Sequence, residues 1–407
     1  MGTSAPGIKL GGRLNLLAPE VCDNPHPYLA ELRRGGPVVQ VDPDGIWAVI
    51  RYDAAQYVLK SPQLFSSQAM SVAFGPEWLG RPNPIADSCL FLDPPGHGRL
   101  RALVSRAFTP ATLARFEPRI RAVARGLVAR MLEQRRVDFV DAFARPIPTT
   151  VMGWILGLDA SLEQHFKRWT NDFMSFSGVH PDDTPRKEQC RRTVEELEQY
   201  FKEMLADRRR SPGDDMASNL LDVRVEGDAL TERELMGFLF MLFLAGLETT
   251  THLISQSARV FAMHPELLRR LRENRALIPR FVEETLRYEP VAAATMRVCL
   301  QGATVDGVEV PRGSLVLVSL ASAARDEKYF PDGDRFILER EGPSHLSFGH
   351  GPHACLGLLL ARMEARVAVE ELVAQVDRVE VRTERIDWLP SLVARGPLTL
   401  PVELFPV

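Results

Sequence analysis

The sequence lacks the features that would place the chain outside the soluble globular proteins. No run of about 18 uninterrupted apolar residues occurs, so we expect no membrane span. Residues 1–10 contain no apolar signal or anchor segment. No linker, repeat or low-complexity segment divides the chain, and we therefore expect one domain over residues 1–407.

Cysteine is scarce and the charges nearly balance. The five cysteines are scattered and odd in number, which suits a reducing cytoplasm better than a disulfide-bonded secreted protein. Lysine and arginine total 49 against 53 aspartate and glutamate residues, and the net charge of −4 gives no basic surplus for binding nucleic acid. The composition is therefore that of an ordinary cytoplasmic protein.

One cysteine, Cys355, lies between a glycine-rich segment and an apolar one. Gly349, Gly351 and Pro352 precede it and predict a tight, irregular backbone. Leucines and alanines at helical spacing follow it, so we expect a helix that begins at or near the cysteine. A thiol at a helix N-terminus is favoured as the thiolate, which can act as a nucleophile, a redox centre or a metal ligand.

Cys355 has three simpler interpretations. A lone cysteine is most often a small buried hydrophobe. His345, His350 and His353 lie close to Cys355 in sequence and could form a structural zinc site, although their spacing fits no common zinc finger. A cysteine–histidine hydrolase is a third interpretation, but no strand-then-elbow pattern precedes the cysteine.

The segment Phe348 to Gly357 reads Phe-Gly-His-Gly-Pro-His-Ala-Cys-Leu-Gly. It resembles the haem-ligand loop of the cytochrome P450 family, Phe-Gly-x-Gly-x-His-x-Cys-x-Gly, at every fixed position. The resemblance implies that Cys355 is the proximal thiolate on the iron of haem b, a ligand that favours O–O cleavage. It also implies that Phe348, Gly349 and Gly357 shape the haem loop and that His353 contacts a propionate.

A second motif lies in the largely apolar run from Leu235 to Ile254. Residues 245–250 read Ala-Gly-Leu-Glu-Thr-Thr and resemble the oxygen-activation segment of the same family. The resemblance implies that Glu248 and Thr249 form an acid–alcohol pair, with Thr250 beside them and Ala245 and Gly246 next to the haem. A carboxylate is costly in such a helix unless it is paired or functional, and Gly246 leaves space for a ligand. Alternatively, the threonine bonds a carbonyl one turn back.

Further motifs match the family. His97 and Arg101 lie four residues apart, a spacing that fits a solvated helix face, whereas the resemblance implies that they bind a haem propionate, as does Arg297. Glu284 and Arg287 would contribute little as an exposed pair. The resemblance implies instead that they are buried beneath the cysteine loop and lock a third group, for which Arg335 is our candidate.

The fold class expected from the resemblance is mainly α, with the haem between the oxygen-activation helix and the cysteine helix. A small β-rich lobe is expected near residues 37–65 and 291–320, including a hairpin of 38–41 with 46–50 and a strand pair within 302–318. The tail 378–405 reads as strand and turn. Helices are expected at 25–34, 111–135 (broken near Pro118), 141–156, 161–176 and 185–209, with a lid loop at 177–185.

The activity implied by the resemblance is monooxygenation of an apolar small molecule, such as a lipid, terpenoid, steroid or polyketide, by O2 and two electrons. Residues 65–92 and 170–185 are expected near the substrate. The other candidate pocket residues are mostly small or apolar: Leu244, Val291, Ala292, Ala293, Ala294 and Thr295.

The resemblance also bears on partners. No glycine-rich flavin or nicotinamide segment is visible, so electrons would come from a separate ferredoxin or flavodoxin with its reductase. A cluster of arginines within residues 99–121 could attract an acidic redox protein or could be ordinary solvation. Without an anchor segment, the chain resembles a bacterial-type soluble member, and we expect a monomer. A peroxide-driven peroxygenase and a haem sensor without turnover are the alternatives, and the Glu248-Thr249 pair argues against both.

Overall fold

A computed structural model describes residues 13–106, 108–157, 165–166, 168–169, 172, 179–180 and 182–407. The chain forms two compact units. The first contains the described residues up to Ser66, together with Pro118–Arg145 and Thr249–Val407. The second contains Ser67–Glu117 and the described part of Pro146–Glu248. That the two form a single domain stays a prediction.

Helices make up most of the described chain. In order, the α-helices are Pro19–Asp23, His26–Gly35, Tyr52–Lys60, Ser71–Phe74, Gly96–Ser105, Pro110–Ala114, Glu117–Gln134, Pro146–Leu156, Thr184–Arg210, Met216–Asp222, Glu232–Met263, Glu266–Glu273, Ile278–Tyr288, Leu320–Ala323 and Leu358–Gln375. Short 3₁₀ turns are Gln68–Met70, Glu77–Leu79, Pro84–Asp87, Arg275–Leu277 and Gly351–His353, and Val140–Ala144 is a π-helical turn.

The strands all belong to the first unit. They are β1 (Val38–Val41), β2 (Ile46–Val49), β3 (Phe65–Ser66), β4 (Arg136–Asp138), β5 (Ala294–Cys299), β6 (Ala303–Val305), β7 (Val308–Val310), β8 (Leu315–Ser319), β9 (Val376–Val381) and β10 (Pro401–Pro406). A five-stranded sheet has the order β1-β2-β8-β5-β3, a second sheet has the order β4-β10-β9, and β6 pairs with β7. This arrangement confirms a small β-rich region at the predicted residues.

Two tight turns explain the hairpins that the sequence predicts. Val38 pairs with Val49 and Val41 with Ile46, across a turn in which Asp44 has φ 62° and Gly45 has φ 66°. Asp306 and Gly307 take φ values of 47° and 82° between β6 and β7. Aspartate and glycine tolerate this left-handed backbone better than other residues, which is why these short sequences were readable as turns.

The core of the first unit forms where the five-stranded sheet meets helices. Val49, Phe65, Val316 and Val318 from the sheet are buried in one cluster with Val58, from the helix Tyr52–Lys60. On the other face of the sheet, Ile46, Ala48 and Leu317 form a smaller cluster. The helix Leu358–Gln375 is held in the same unit by buried apolar residues along most of its length.

The second unit has an aromatic core. Phe201 lies edge-on to Phe240, with ring centroids 5.5 Å apart, and 6.4 Å from Phe243. Trp169 packs edge-on against Phe243 at 6.3 Å. Edge-to-face pairs of this kind contribute beyond their buried area, so the helices Thr184–Arg210 and Glu232–Met263 are held together within this unit.

The helix Glu232–Met263, called the long helix below, carries residues of both units. It is long and apolar enough to cross a membrane by length and composition alone. However, 72% of its most apolar stretch is buried inside the protein, as in the core helix of a soluble protein. It contains the predicted oxygen-activation motif.

Several expected elements differ in detail. The helix expected over 111–135 is divided at Phe116, and its second part begins at Glu117 with Pro118 in the first turn, where proline is tolerated. The helix expected from residue 141 begins as the π-helical turn, which local periodicity does not reveal. The region 65–92 holds short turns and a four-residue helix. The lid at 177–185 and the helix at 161–176 lie largely outside the described residues.

Candidate functional site

The segment around Cys355, called the cysteine loop below (residues 345–357), is fixed by hydrogen bonds from its own backbone. The Cys355 N–H donates to the Phe348 carbonyl at 2.8 Å, and the Gly349 N–H donates to the Leu346 carbonyl at 2.7 Å. Ser347 Oγ donates to the buried Leu286 carbonyl at 2.7 Å. The loop is therefore closed on itself and tied to the helix Ile278–Tyr288.

Glycine is required at two positions of this loop. Gly349 and Gly351 have φ values of 72° and 70°, in the left-handed region that side chains disfavour. A Cβ on Gly351 would also lie 2.6 Å from the carbonyl oxygen of Leu59, which is too close for any atom other than hydrogen. The backbone conformation and the close packing therefore explain why the motif has glycine at positions 349 and 351.

The thiol of Cys355 is partly exposed and forms no disulfide. The helix Leu358–Gln375, called the cysteine helix below, begins shortly after Cys355, which confirms the predicted helix start. The exposed N–H groups of such a helix end favour the thiolate. Among the described residues, no three His, Cys, Asp or Glu side chains converge as metal ligands, so His345, His350 and His353 do not form a zinc site with Cys355.

Glu284 and Arg287 form a buried pair behind the cysteine loop. Their side chains are 4% and 2% exposed, and Arg287 Nε and Nη2 each donate to Glu284 at 2.8 Å. Arg287 Nη1 also donates to the carbonyls of Ala324 and Gly333 at 3.0 and 2.8 Å. The guanidinium thus joins its own helix to the irregular segment 324–340.

The prediction that Arg335 is the third side chain of this network is wrong. Arg335 supplies only its carbonyl, 2.9 Å from Arg287 Nη2. The side chain that reaches Glu284 is that of Arg340, whose Nε lies 3.2 Å from Oε1 and is accompanied by the Ile337 N–H at 2.8 Å. The fold of the irregular segment, in which Arg340 also binds the carbonyls of Pro331, Asp332 and Arg335, decides which arginine points inward.

The oxygen-activation motif lies in the long helix and has one open side. Between Met241 and Ala258, the exposed residues are Ala245 and Thr249, which lie one helical turn apart on the same face. Thr250, the next residue of the helix, is 4% exposed and lies away from this open side. Thr249 is therefore the hydroxyl of the motif that a ligand can reach from this side of the helix.

The remaining residues of the motif are less open. Leu244, Gly246 and Glu248 are half-buried. A Cβ on Gly246 would lie 2.5 Å from the sulfur of Met152, in the same unit. Met152, on the helix Pro146–Leu156, thus packs against the long helix beside Gly246, and the role of this glycine beside a ligand stays a prediction.

Two of the predicted propionate contacts belong to the first unit. Arg297 lies on β5 with 6% of its surface exposed, and its Nη1 donates to Thr295 Oγ1 at 3.0 Å and to the Met296 carbonyl at 2.7 Å. His353 is half-buried in the cysteine loop. A buried guanidinium on a strand and an imidazole beside Cys355 are groups suited to a carboxylate.

The other two predicted propionate contacts, His97 and Arg101, belong to the second unit. His97 is 3% exposed in the helix Gly96–Ser105, and Arg101 follows one turn later. Arg101 lies beside Cys89, where burial raises the pKa of the thiol and the arginine's charge partly offsets that rise. A buried histidine is unlike the solvated face that the spacing alone allowed.

The predicted pocket residues after Pro290 differ in their surroundings. Val291 and Ala294 are 5% and 6% exposed, whereas Ala292, Ala293 and Thr295 are half-buried. Ala294 lies in the sheet cluster with Leu317 and pairs with Ser319 of β8. Its methyl group belongs to the core of the sheet.

The arginines at 99–121 are partly engaged in ion pairs. In the second unit, Arg99 Nε donates to Asp228 at 2.6 Å. In the first unit, Arg121 donates to Glu370 at 2.5 Å and to Glu371 at 3.2 Å. Part of this positive charge is therefore neutralised within the protein.

A buried charge network in the first unit was missed from the sequence. Glu289 is 3% exposed, and its carboxylate lies 3.2 Å from His26 Nε2, 2.6 Å from Arg259 Nη2 and 3.3 Å from Arg395 Nε. Burial lowers the pKa of His26 to about 4, although Glu289 opposes that effect. The partners lie up to 263 positions apart, so no local pattern could reveal them.

The donor set of the described residues fits a haem held by a thiolate. The partly exposed Cys355 thiol, which is in no disulfide, lies ahead of a helix N-terminus, the position that favours an anionic sulfur ligand. Buried basic side chains suited to carboxylates are present in each unit, at Arg297 and His97. These properties agree with the haem that the motifs imply.

Comparison with known proteins gives consistent matches over nearly the whole chain. The sequence profile of the family described as Cytochrome P450 matches residues 11–381. The erythromycin C-12 hydroxylase of Saccharopolyspora erythraea is 38% identical, over 92% of this chain and 93% of that protein. The cyclomarin C epoxidase CymV of Salinispora arenicola is 34% identical, over 98% of both proteins. The solved structure of cytochrome P450 CYP109Q5 from Chondromyces apiculatus superposes with a TM-score of 0.90 at 37% identity, covering 97% of this chain and 99% of that one.

Proposed function

Because the chain belongs to the cytochrome P450 family, we propose that Cys355 is the proximal thiolate ligand of haem b. The chain has the fold of that family and is a cytochrome P450 monooxygenase. The observation that carries the proposal is the cysteine loop, in which two left-handed glycines and the hydrogen bond from Cys355 N–H to the Phe348 carbonyl fix the position of Cys355 ahead of a helix.

The remaining cofactor contacts follow from the resemblance and from side-chain chemistry. Arg297 and His353, with His97 and Arg101 of the second unit, would bind the haem propionates. Other haem contacts would come from Phe348, Gly349 and Gly357 and from Ala245 and Gly246. When bound, the haem supplies the activation of O2.

The proton chemistry would be carried by the long helix. Thr249 Oγ1, on the open side of the helix, would donate a hydrogen bond to the oxygen that is being reduced. The half-buried Glu248 would relay protons to that hydroxyl from outside. Thr250 is buried and would support the helix from its closed side.

The substrate would be an apolar small molecule that is hydroxylated or epoxidised. Relatives of this chain are named erythromycin C-12 hydroxylase, cyclomarin C epoxidase and vitamin D(3) 25-hydroxylase. Leu244, Val291, Ala292 and Ala293 offer aliphatic contacts, and the half-buried Thr295 offers one hydroxyl. Burial of aliphatic surface favours a lipid-like, terpenoid, steroid or polyketide ligand.

The two electrons would come from a separate ferredoxin or flavodoxin with its reductase. The protein would act in the cytoplasm as a monomer, without flavin or nicotinamide of its own. Five free cysteines support a reducing compartment.

A reconstituted turnover assay tests this function. Purified protein is combined with a surrogate ferredoxin and reductase, NADH and a panel of macrolides, steroids and fatty acids, after spectral titration has selected binders. We expect NADH-dependent formation of a product that is heavier by one oxygen atom. Product with hydrogen peroxide alone and none with NADH would identify a peroxygenase, and binding with no product under either condition would identify a sensor.

A further inference from the structure

A side-chain cluster on the first unit links the protein surface to the cysteine loop, and we call it the Phe348 clamp (Glu283, His345, Phe348 and Arg362). Arg362, on the cysteine helix, donates two hydrogen bonds to the Glu283 carboxylate. Its Nε donates to Oε1 at 2.7 Å and its Nη2 donates to Oε2 at 2.8 Å. The two side chains are 37% and 41% exposed. A two-bond fork of this kind fixes the orientation of the guanidinium plane.

The largely buried His345 side chain lies beside the same Glu283 carboxylate. Its Nδ1 accepts a hydrogen bond from the Ser347 N–H at 3.2 Å, so the neutral ring carries its proton on Nε2. That nitrogen lies 3.3 Å from Glu283 Oε2, and the His345 side chain is only 8% exposed. Although burial raises the pKa of Glu283, the neighbouring His345 and Arg362 lower it to about 2. Glu283 therefore stays charged and stays in place.

The clamp leads to the cysteine. The Arg362 guanidinium carbon lies 4.7 Å from the centre of the Phe348 ring, a cation–π contact. The His345 ring approaches Phe348 at a centroid distance of 6.1 Å. The Phe348 carbonyl in turn accepts the N–H of Cys355 at 2.8 Å. A cation is thus held against the residue that is hydrogen-bonded to the proposed ligand.

We propose that Arg362 is a positioning residue that sets the reduction potential of the haem bound by Cys355, through its contact with Phe348. This inference rests on the proposed function, because it needs Cys355 as the haem ligand. Reduction adds one negative charge to the haem and its thiolate, and a nearby cation stabilises that charge. Arg362 should therefore make the haem easier to reduce, and Glu283 should limit that effect by neutralising part of the charge.

Because Arg362 and Glu283 carry opposite charges, removing one or the other should shift the reduction potential in opposite directions. Arg362→Ala should lower the ratio of reduced to oxidised haem at a fixed applied potential by about threefold, because it removes one positive charge beside the cysteine loop. At 59 mV per tenfold change for one electron, that is a shift of roughly 28 mV to a more negative potential. Glu283→Gln should shift the potential in the positive direction, because the guanidinium remains and its counter-charge is lost.

Two further variants separate charge from fold. Arg362→Lys keeps the charge but loses the fork, and its potential should fall between those of the wild type and Arg362→Ala. Arg366→Ala is the matched control, since Arg366 lies one turn further along the same helix and binds Glu370 at 2.8 Å. Its potential should equal that of the wild type.

Spectroelectrochemical titration of the purified holoprotein, without redox partner, measures all four variants. Each sample is first checked for the red-shifted ferrous–CO band that a thiolate ligand gives. Shifts of the same sign in Arg362→Ala and Glu283→Gln, no shift in either, or an equal shift in Arg366→Ala would overturn the inference, because loosening of the loop or bulk charge would then be the cause. Absence of the CO band in the wild type would instead overturn the proposed function, and this inference with it.

Discussion

At the scale of single residues, Glu364 is the least expected side chain of the cysteine helix. It is 1% exposed, and its Oε2 has no hydrogen-bond partner among the described residues. Burial raises its pKa well above the usual value of 4.5. The side chain is therefore neutral in the folded protein under conditions where it is charged in the unfolded chain.

Glu364→Gln should consequently stabilise the protein at high pH. Between pH 4.5 and the raised pKa, the folded state keeps a proton that the unfolded state has released, so stability falls as pH rises. The amide keeps the size of the side chain and removes this titration. Melting temperatures should show the variant above the wild type at pH 8, with the difference shrinking toward pH 5.

Glu371, on the same helix, is a control for which we expect the opposite change in melting temperature. It is 5% exposed but accepts hydrogen bonds from Arg121 at 3.2 Å and Arg125 at 3.1 Å. Glu371→Gln should lower the melting temperature at pH 8, since it removes a paired charge. Parallel curves of melting temperature against pH for the wild type and Glu364→Gln would show that Glu364 does not titrate above its usual range.

Thr249→Ala should separate electron consumption from product formation. The exposed hydroxyl is lost from the open side of the long helix, so oxygen reduction proceeds without its hydrogen bond and ends more often in hydrogen peroxide. Product per NADH should fall by up to about 10²-fold while NADH use continues. NADH, product and peroxide are measured together, with peroxide-driven turnover as a check that the haem is intact.

The matched control is Thr251→Ala, because Thr251 is 5% exposed and lies on the closed side of the same helix. Its coupling should equal that of the wild type. Unchanged coupling in Thr249→Ala would contradict the assignment, unless Thr250 replaces the hydroxyl, and the double variant Thr249→Ala/Thr250→Ala decides that point.

Glu248→Gln should behave differently from Thr249→Ala. If Glu248 relays protons from outside, its loss slows every turn of the cycle and lowers NADH use and product together. Product per NADH should stay near the wild-type value. A variant that consumes NADH at the normal rate would show that protons reach Thr249 by another route.

At the scale of elements, the buried ion-pair network of Glu284 and Arg287 carries the largest stability prediction. Arg287→Ala would leave Glu284 buried without its fork, and the carbonyls of Ala324 and Gly333 would lose the guanidinium that donates to them. The cost should be about 3–5 kcal/mol, with reduced haem retention and lower folded yield. Urea unfolding and haem content per protein measure it.

Arg280→Ala is the control, because Arg280 lies on the same helix and is exposed. It should change stability by no more than about 0.5 kcal/mol. Equal unfolding midpoints for Arg287→Ala and the wild type would mean that the pair behaves as a surface salt bridge.

Elements with strong local signals were predictable from the sequence. The Asp44-Gly45 and Asp306-Gly307 turns give both hairpins because their conformations are favoured by those residue types. The long helix follows from a largely apolar run that contains no proline. The π-helical turn at Val140–Ala144 was not predictable, since it depends on one extra residue accommodated by surrounding structure.

Contacts between side chains that are far apart in the sequence could not be predicted from the sequence. Arg340 rather than Arg335 reaches Glu284 because of the irregular backbone between them. His26 and Glu289 meet over 263 positions. The glycine positions in the cysteine loop were predictable because the backbone conformation itself requires glycine, whereas a long arginine side chain fits many backbones.

At the scale of the whole molecule, the family resemblance rests on two motifs that come from different parts of the chain. The profile match over residues 11–381 and the superposition at a TM-score of 0.90 confirm the family and its fold. The predicted contacts divide between the two units, with Cys355, Arg297 and His353 in the first and His97, Arg101 and Glu248 in the second. The proposed function would therefore draw on residues of both units.

The ferrous–CO spectrum of Cys355→Ser, in the full-length protein, tests the role of Cys355 most directly. The variant should fold, with reduced haem content, and should lack the red-shifted CO band that a thiolate ligand gives. Cys22→Ser, at another half-buried cysteine that is in no disulfide, should keep the band. A Cys355→Ser protein that still shows the red-shifted band would contradict the assignment and place the thiolate on another cysteine.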